Sequence, residues 1–186
     1  MNLIDRAKNI IITPAKEWDV IAAEQPNTQK IITTYVLPLA LAAALAAFIG
    51  YGFIASGAMG GMTWGIYYLI NVLVGAIAGV FVSAFVIDAL APNFGSEKNI
   101  GRSIQLVAYA YTPAWIGGLL AIFPPIAIIG SLLSLYSLYL LYLGMPKLKK
   151  TPPDKHVSYF VVSLVVMIVV YFIIALIMSK AIMPML

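Results

Sequence analysis

Five stretches of this chain run for about 18 residues or more with almost no charge, and a chain built that way has few folds open to it. They lie at about 31–55, 64–90, 104–122, 126–145 and 157–178, and Asp88 is the one charged side chain inside them. Each is long enough to cross a hydrocarbon core of about 30 Å as a helix. Composition agrees. Of 186 residues, 62% are hydrophobic and 10% charged, and the mean hydropathy is +0.99. Soluble domains carry about 25% charged residues, and a soluble fold of this size has too little polar surface to cover so much apolar side chain. The expected fold is all-α: a polytopic membrane bundle of five transmembrane helices (residues 31–186), preceded by a short amphipathic N-terminal segment (residues 1–30).

The connections are short, "SGAMGGMT", "APNFGSEKNIGRS", "FPP" and "PKLKKTPPDKH", so no soluble domain is inserted between spans. The third and fourth spans are short enough that a re-entrant hairpin is an alternative to two full crossings. Cysteine is absent, which excludes disulfides, a cysteine nucleophile and thiolate metal sites. Residues 1–30 carry charges of both signs and no apolar h-region, so no cleavable signal is expected.

Lysine and arginine give the orientation. Arg6, Lys8, Lys16 and Lys30 precede the first span, Lys98 and Arg102 lie in the second loop, and Lys147, Lys149, Lys150 and Lys155 lie in the fourth. In a five-span protein these regions share one side, and only Lys180 falls opposite. The N-terminus is therefore expected in the cytoplasm and the C-terminus outside. The net charge of +4 implies attraction to anionic lipid headgroups on the cytoplasmic side, not to nucleic acid, for which there is no basic domain.

In "NLIDRAKNIII", Leu3, Ile4, Ala7, Ile10 and Ile11 share one helical face, while Asp5, Arg6, Lys8 and Asn9 share the other. In "TPAKEWDVIAAE", Thr13 is the expected N-cap and Pro14 the first helical residue, with Trp18, Ile21 and Ala22 as an apolar stripe. Both read as helices lying in the membrane interface, with Trp18 at headgroup depth.

Within the spans, Asp88 is a candidate site residue because intramembrane carboxylates are rare. It falls within about one turn of the end of its span, within reach of Lys98 or Arg102. Gly75 and Gly79 form a GxxxG, continued by Ser83, a spacing that lets helix backbones approach closely. It is compatible with a homo-oligomer. Ala40, Ala43, Ala44, Ala47 and Gly50 give the first span a similar face. Pro113 frees the carbonyl of Tyr109 at membrane depth, where Thr112 or a nearby tyrosine can satisfy it, and Pro38 frees that of Thr34. Tyr136, Tyr139 and Tyr142 recur along the fourth span and are expected to form a polar seam with Tyr109 and Tyr111, or else an interfacial belt. No HExxH, GxSxG, phosphate loop or paired intramembrane carboxylate occurs, and the lone His156 falls in a charged loop. No enzyme activity, catalytic residue, metal or cofactor is expected.

At "YAYTPAWIGGLLAIFPP" and "LYLLYLGMPKL" the chain resembles the bacterial branch of the Yip family, the Ypt/Rab-interacting integral membrane proteins. The likeness rests on Tyr109, Tyr111, Thr112 and Pro113, on the double glycine Gly117 and Gly118, on the Pro-centred turn, and on the "TPAKEW" lead-in. It implies five spans and a cytoplasmic N-terminus. Eukaryotic relatives bind prenylated Rab GTPases through a longer N-terminal region, which about 30 residues do not supply here. The expectation is an inner-membrane protein that organises or scaffolds the membrane through helix and lipid contacts, its protein partner open. The alternative is a small ion, proton or small-molecule transporter or channel using Asp88, the Tyr109 carbonyl and the tyrosine seam.

Overall fold

A computed structural model describes residues 2–55 and 60–182, with backbone only at residue 175 and residues 177–182, so the side chain of Lys180 and residues 56–59 of the first loop lie outside the described set. Among the described residues there is no strand. The chain opens with α1 (Leu3–Ile12) and α2 (Pro14–Ala23). The first span runs from α3 (Thr28–Ile31) through a π-helical turn at Ile32–Val36 into α4 (Leu37–Ile49), and closes with a second such turn at Gly50–Ile54. The second is α5 (Met62–Leu90), the third α6 (Ile100–Ala110) with α7 (Thr112–Gly118), the fourth α8 (Ala127–Lys149) and the fifth α9 (Pro153–Ile182). Five helices are thus long and apolar enough to cross a membrane.

Local chemistry starts and stops these helices. Asn2, Asn27 and Asn99 cap α1, α3 and α6, each side chain accepting a backbone N–H three residues on, from Asp5, Lys30 and Arg102. Pro14 opens α2 as expected, but Thr13 does not cap it; its hydroxyl donates back to the carbonyl of Asn9 at 3.2 Å and closes α1 instead. The wide turn at Ile32–Val36 immediately precedes Pro38, the position at which an ordinary α-helical ladder loses a donor.

The fourth span departs from its expected limits. Helix α8 continues through Pro146 to Lys149, where Lys150 turns left-handed at φ 49°. Pro146 removes the donor that would bond the carbonyl of Tyr142. Nε2 of His156 bonds that carbonyl at 2.9 Å, and its ring stacks on Tyr142 at 4.2 Å between centroids. His156 therefore lies in the first turns of α9 and not in a loop.

The core is built on small residues. Ala40, Ala43, Ala44, Ala47 and Gly50 of the first span are all buried, α4 packs on α5, and α7 packs on α8. Gly117 of α7 lies on Gly130 of α8 so closely that a Cβ on either would strike the other's carbonyl oxygen. A Cβ on Gly118 would stand 3.0 Å from Ala43. Of the GxxxG pair, Gly79 faces Tyr171, whereas Gly75 faces open space with nothing within 4 Å of a built Cβ. That glycine plays no part in packing within the described chain.

The second span and its terminal turn, Met62–Phe94, total 33 residues, about 50 Å at the helical rise, against a hydrocarbon core of about 30 Å. Asp88 lies near the C-terminal end of that span, where Lys149 reaches it and where Arg102 of α6 reaches back to α2's end at Glu24.

Replacing Gly117 by alanine meets backbone, which cannot yield as a flexible side chain does. The expected loss is about 1–3 kcal/mol, read as a lower midpoint in thermal unfolding of the detergent-solubilised protein. Gly75→Ala, which meets nothing and removes a mid-helix glycine, should not lower that midpoint.

Candidate functional site

Among the described residues the buried charged side chains, Arg6, Glu17, Asp88 and Lys149, form two clusters. The first is centred on Asp88, in the last turn of α5. Its Oδ1 accepts from Lys149 Nζ at 2.8 Å, from the Asn99 backbone N–H at 2.7 Å and from Ser103 Oγ at 3.1 Å. Lys149 also donates to Ser103 Oγ at 2.7 Å. The lysine side chain has 0% exposure and that of Asp88 10%. Asn99 caps α6, so the carboxylate also sits at the positive end of that helix.

Sequence reasoning placed Asp88 opposite Lys98 or Arg102; its partner is Lys149. The reason is the extra helical turn beyond Pro146, which carries Lys149 into the bundle, while Lys98 is exposed. Arg102 turns the other way, donating to the Glu24 carbonyl at 2.7 Å and to Gln105 Oε1 at 3.0 Å. The loop carboxylate Glu97 takes Lys150 at 2.9 Å, and that ammonium holds its carboxyl below the usual carboxylate range.

The second cluster fastens the N-terminal helices. Arg6 was assigned to the polar outer face of α1, yet it is buried. Its Nη1 donates to Glu17 Oε1 at 2.6 Å, its Nη2 pairs with Glu24, and its guanidinium lies 5.2 Å from the ring centre of Tyr109. Trp18, expected at headgroup depth in a helix lying in the interface, is fully buried, its ring against Gly144. Helices α1 and α2 are thus clamped to the bundle by a charged hinge and an indole anchor. Beside Arg6 a cleft of about 300 Å³ opens, with Glu24, Lys30, Thr34, Gln105 and Tyr109 in its lining.

Deeper in the bundle, polar groups are bonded to one another. The Tyr109 carbonyl freed by Pro113 accepts the Thr112 hydroxyl at 2.7 Å, and Thr112 is in turn joined to the Tyr35 hydroxyl at 2.7 Å. Thr112 and Pro113 are both buried. Tyr111 and Tyr171 meet at Ser83 Oγ, at 2.7 and 2.9 Å, and Tyr171 also donates to the Gly79 carbonyl at 3.0 Å. Of the two readings of the tyrosine stripe, a polar seam with Tyr109 and Tyr111 does not form. Tyr136 bonds the Ile11 carbonyl and its ring lies 5.5 Å from that of Tyr139, which is 49% exposed, while Tyr142 stacks on His156. Among the described residues no group of His, Asp or Glu is arranged to hold a metal.

Comparison with known proteins accords with this architecture. The family model of the Yip1 domain matches residues 8–177. The inner membrane protein YohC of Escherichia coli strain K12 is 27% identical over 155 residues, which cover 78% of this chain and 80% of the relative. The protein of that name from E. coli O6:H1 gives the same figures. No solved structure matches the chain.

Lys149→Met strands a buried carboxylate and should destabilise the protein by about 3–5 kcal/mol. Adding Asp88→Leu to it should restore much of the loss, because an apolar pair replaces an unmatched charge. Thermal unfolding of the two single variants and the double variant measures that coupling.

Proposed function

Because the chain belongs to the Yip1 domain family, we propose that it is a non-enzymatic protein of the bacterial inner membrane that organises the bilayer through helix and lipid contacts. The observation that supports this reading most is the closure of the bundle at Pro113. The Tyr109 carbonyl that a transporter would offer to a substrate is taken by Thr112, and Thr112 by Tyr35. Asp88 is likewise engaged by Lys149, Ser103 and Asn99 and is not presented to a pathway. The E. coli relative YohC is named as an inner membrane protein, which supports the location. The bias of lysine and arginine supports an N-terminus in the cytoplasm. In this arrangement the clamped helices α1 and α2 lie against the inner leaflet, and the exposed apolar side chains Ile4, Ile12 and Val20 meet lipid there.

Reconstituted into liposomes, the protein should pass no protons, sodium, potassium or chloride above the rate of protein-free vesicles, and it should shift the vesicle size distribution seen by electron microscopy. Saturable flux of any of these ions, with vesicle sizes unchanged, overturns the reading in favour of transport.

Orientation has its own test, since the native chain has no cysteine. Single cysteines at Phe123 and Lys98, probed with a membrane-impermeant maleimide on intact spheroplasts, should label at Phe123 and stay unlabelled at Lys98.

A further inference from the structure

The polar cleft beside Arg6 has an apolar neighbour. On the other flank of α1 runs a groove of about 390 Å³, walled by Ile4 and Ile12 of that helix, Leu39 of α4 and Ile116 of α7, with Lys8 at its side. Leu3 lines both cleft and groove. Ile4 and Ile12 are 74% and 65% exposed, so the groove opens on the outer surface of the bundle. A polar pocket beside an apolar furrow, with Leu3 in the wall of each, has the shape of an amphiphile.

The bonding state of the cleft narrows the chemistry. Arg6 is already held by Glu17 and Glu24, and only Oε1 of Glu24 is used in that pairing. Among the described residues Lys30 has no ion-pair partner. The Tyr109 ring is 7% exposed, lines the cleft, and its hydroxyl has no hydrogen-bond partner among the described residues. Glu17, outside the cleft lining, offsets Arg6 from behind, so Glu24 and Lys30 face the opening, which offers one unpaired cation, one hydroxyl and one free carboxylate oxygen. Such a set complements a headgroup that carries both a phosphate and an ammonium.

We propose that the cleft and groove bind one glycerophospholipid with a primary-amine headgroup: its phosphate on Lys30 and the Tyr109 hydroxyl, its ammonium on Glu24, and an acyl chain along α1 between Leu39 and Ile116. The N–H donors of a primary ammonium satisfy the Glu24 oxygen, which a quaternary ammonium cannot do. An anionic headgroup without an amine leaves that carboxylate facing a second negative charge. This deepens the lipid-contact reading above and rests on it for placing this end of the bundle at a bilayer surface.

Native mass spectrometry of the full chain tests the site, using an equimolar mixture of phosphatidylethanolamine, phosphatidylcholine and phosphatidylglycerol with matched chains. One phosphatidylethanolamine should be retained in preference to the other two. Lys30→Ala and Glu24→Gln should each lower that retention about tenfold, the scale of one charge-assisted contact. Ile116→Trp, which fills the furrow, should lower retention of all three lipids. Lys147→Ala, which removes the exposed pair with Asp19, should change nothing. Glycerophosphoethanolamine, the headgroup without chains, should not bind measurably. Lys30 is exposed, so its variant should unfold at the wild-type midpoint and its lipid binding remain readable. Equal retention of the three lipids by the native protein overturns the proposal, as does undiminished binding by Lys30→Ala or equal binding of the chainless headgroup. Those results leave the vesicle-size measurement untouched, so failure of this site and failure of the membrane-organising reading are separately visible.

Discussion

An ammonium with no solvent exposure has to find a carboxylate, and Lys149 finds Asp88. That pair holds the end of α5, the cap of α6 and the end of α8 at one point. The Coulomb term alone does not make it favourable, because desolvating two ions opposes the gain. What completes it is the ring of neutral donors: the Asn99 N–H on the carboxylate, and the Ser103 hydroxyl between the two charges. The Arg6 cluster repeats the arrangement for the N-terminal helices, with two carboxylates and an aromatic face around one guanidinium. In both clusters each buried charge meets an opposite one, so neither leaves a bare charge inside the bundle.

Prolines impose the second constraint. Each one within a helix frees a carbonyl that lipid cannot satisfy. Pro113 is answered from its own turn by Thr112, and Pro146 from the next helix by His156. The only histidine in the chain is thereby a structural donor joining α8 to α9. Glycines play the complementary part: Gly117 and Gly130 let the third and fourth spans touch backbone to backbone.

The apolar runs were enough to give five helices, the helix class and the small-residue face of the first span, because hydrophobic length and alanine spacing are local properties of the chain. The Thr112 hydroxyl on the Tyr109 carbonyl was legible for the same reason, since donor and acceptor lie three residues apart. Partners distant in sequence were not legible. Lys149 was hidden behind Pro146, which reads as a helix stop until His156 supplies the missing bond. Arg6 and Trp18 were misplaced because an amphipathic helix read alone has only lipid to face, whereas here α1 and α2 have a protein surface beneath them. Gly75 is a different case: its GxxxG spacing suits packing within or between chains, and no described helix of this chain lies against it.

The fifth span is fixed by a different logic from the rest. Along its described length, two of its tyrosine hydroxyls reach the carbonyls of α5: Tyr159 that of Ile87 at 2.5 Å, and Tyr171 that of Gly79 at 3.0 Å. The donors stand about 18 Å apart along α9, while the acceptors stand about 12 Å apart along α5. The two phenols must therefore lean toward each other or the helices must cross at an angle. Either way the pair acts as a caliper. One hydroxyl alone would let α9 swing about a pivot; two at unequal spacing fix its height and its rotation together. The apolar side chains of α9 that reach the core, Met167 among them, are thus held in register by measurement against a neighbour's backbone.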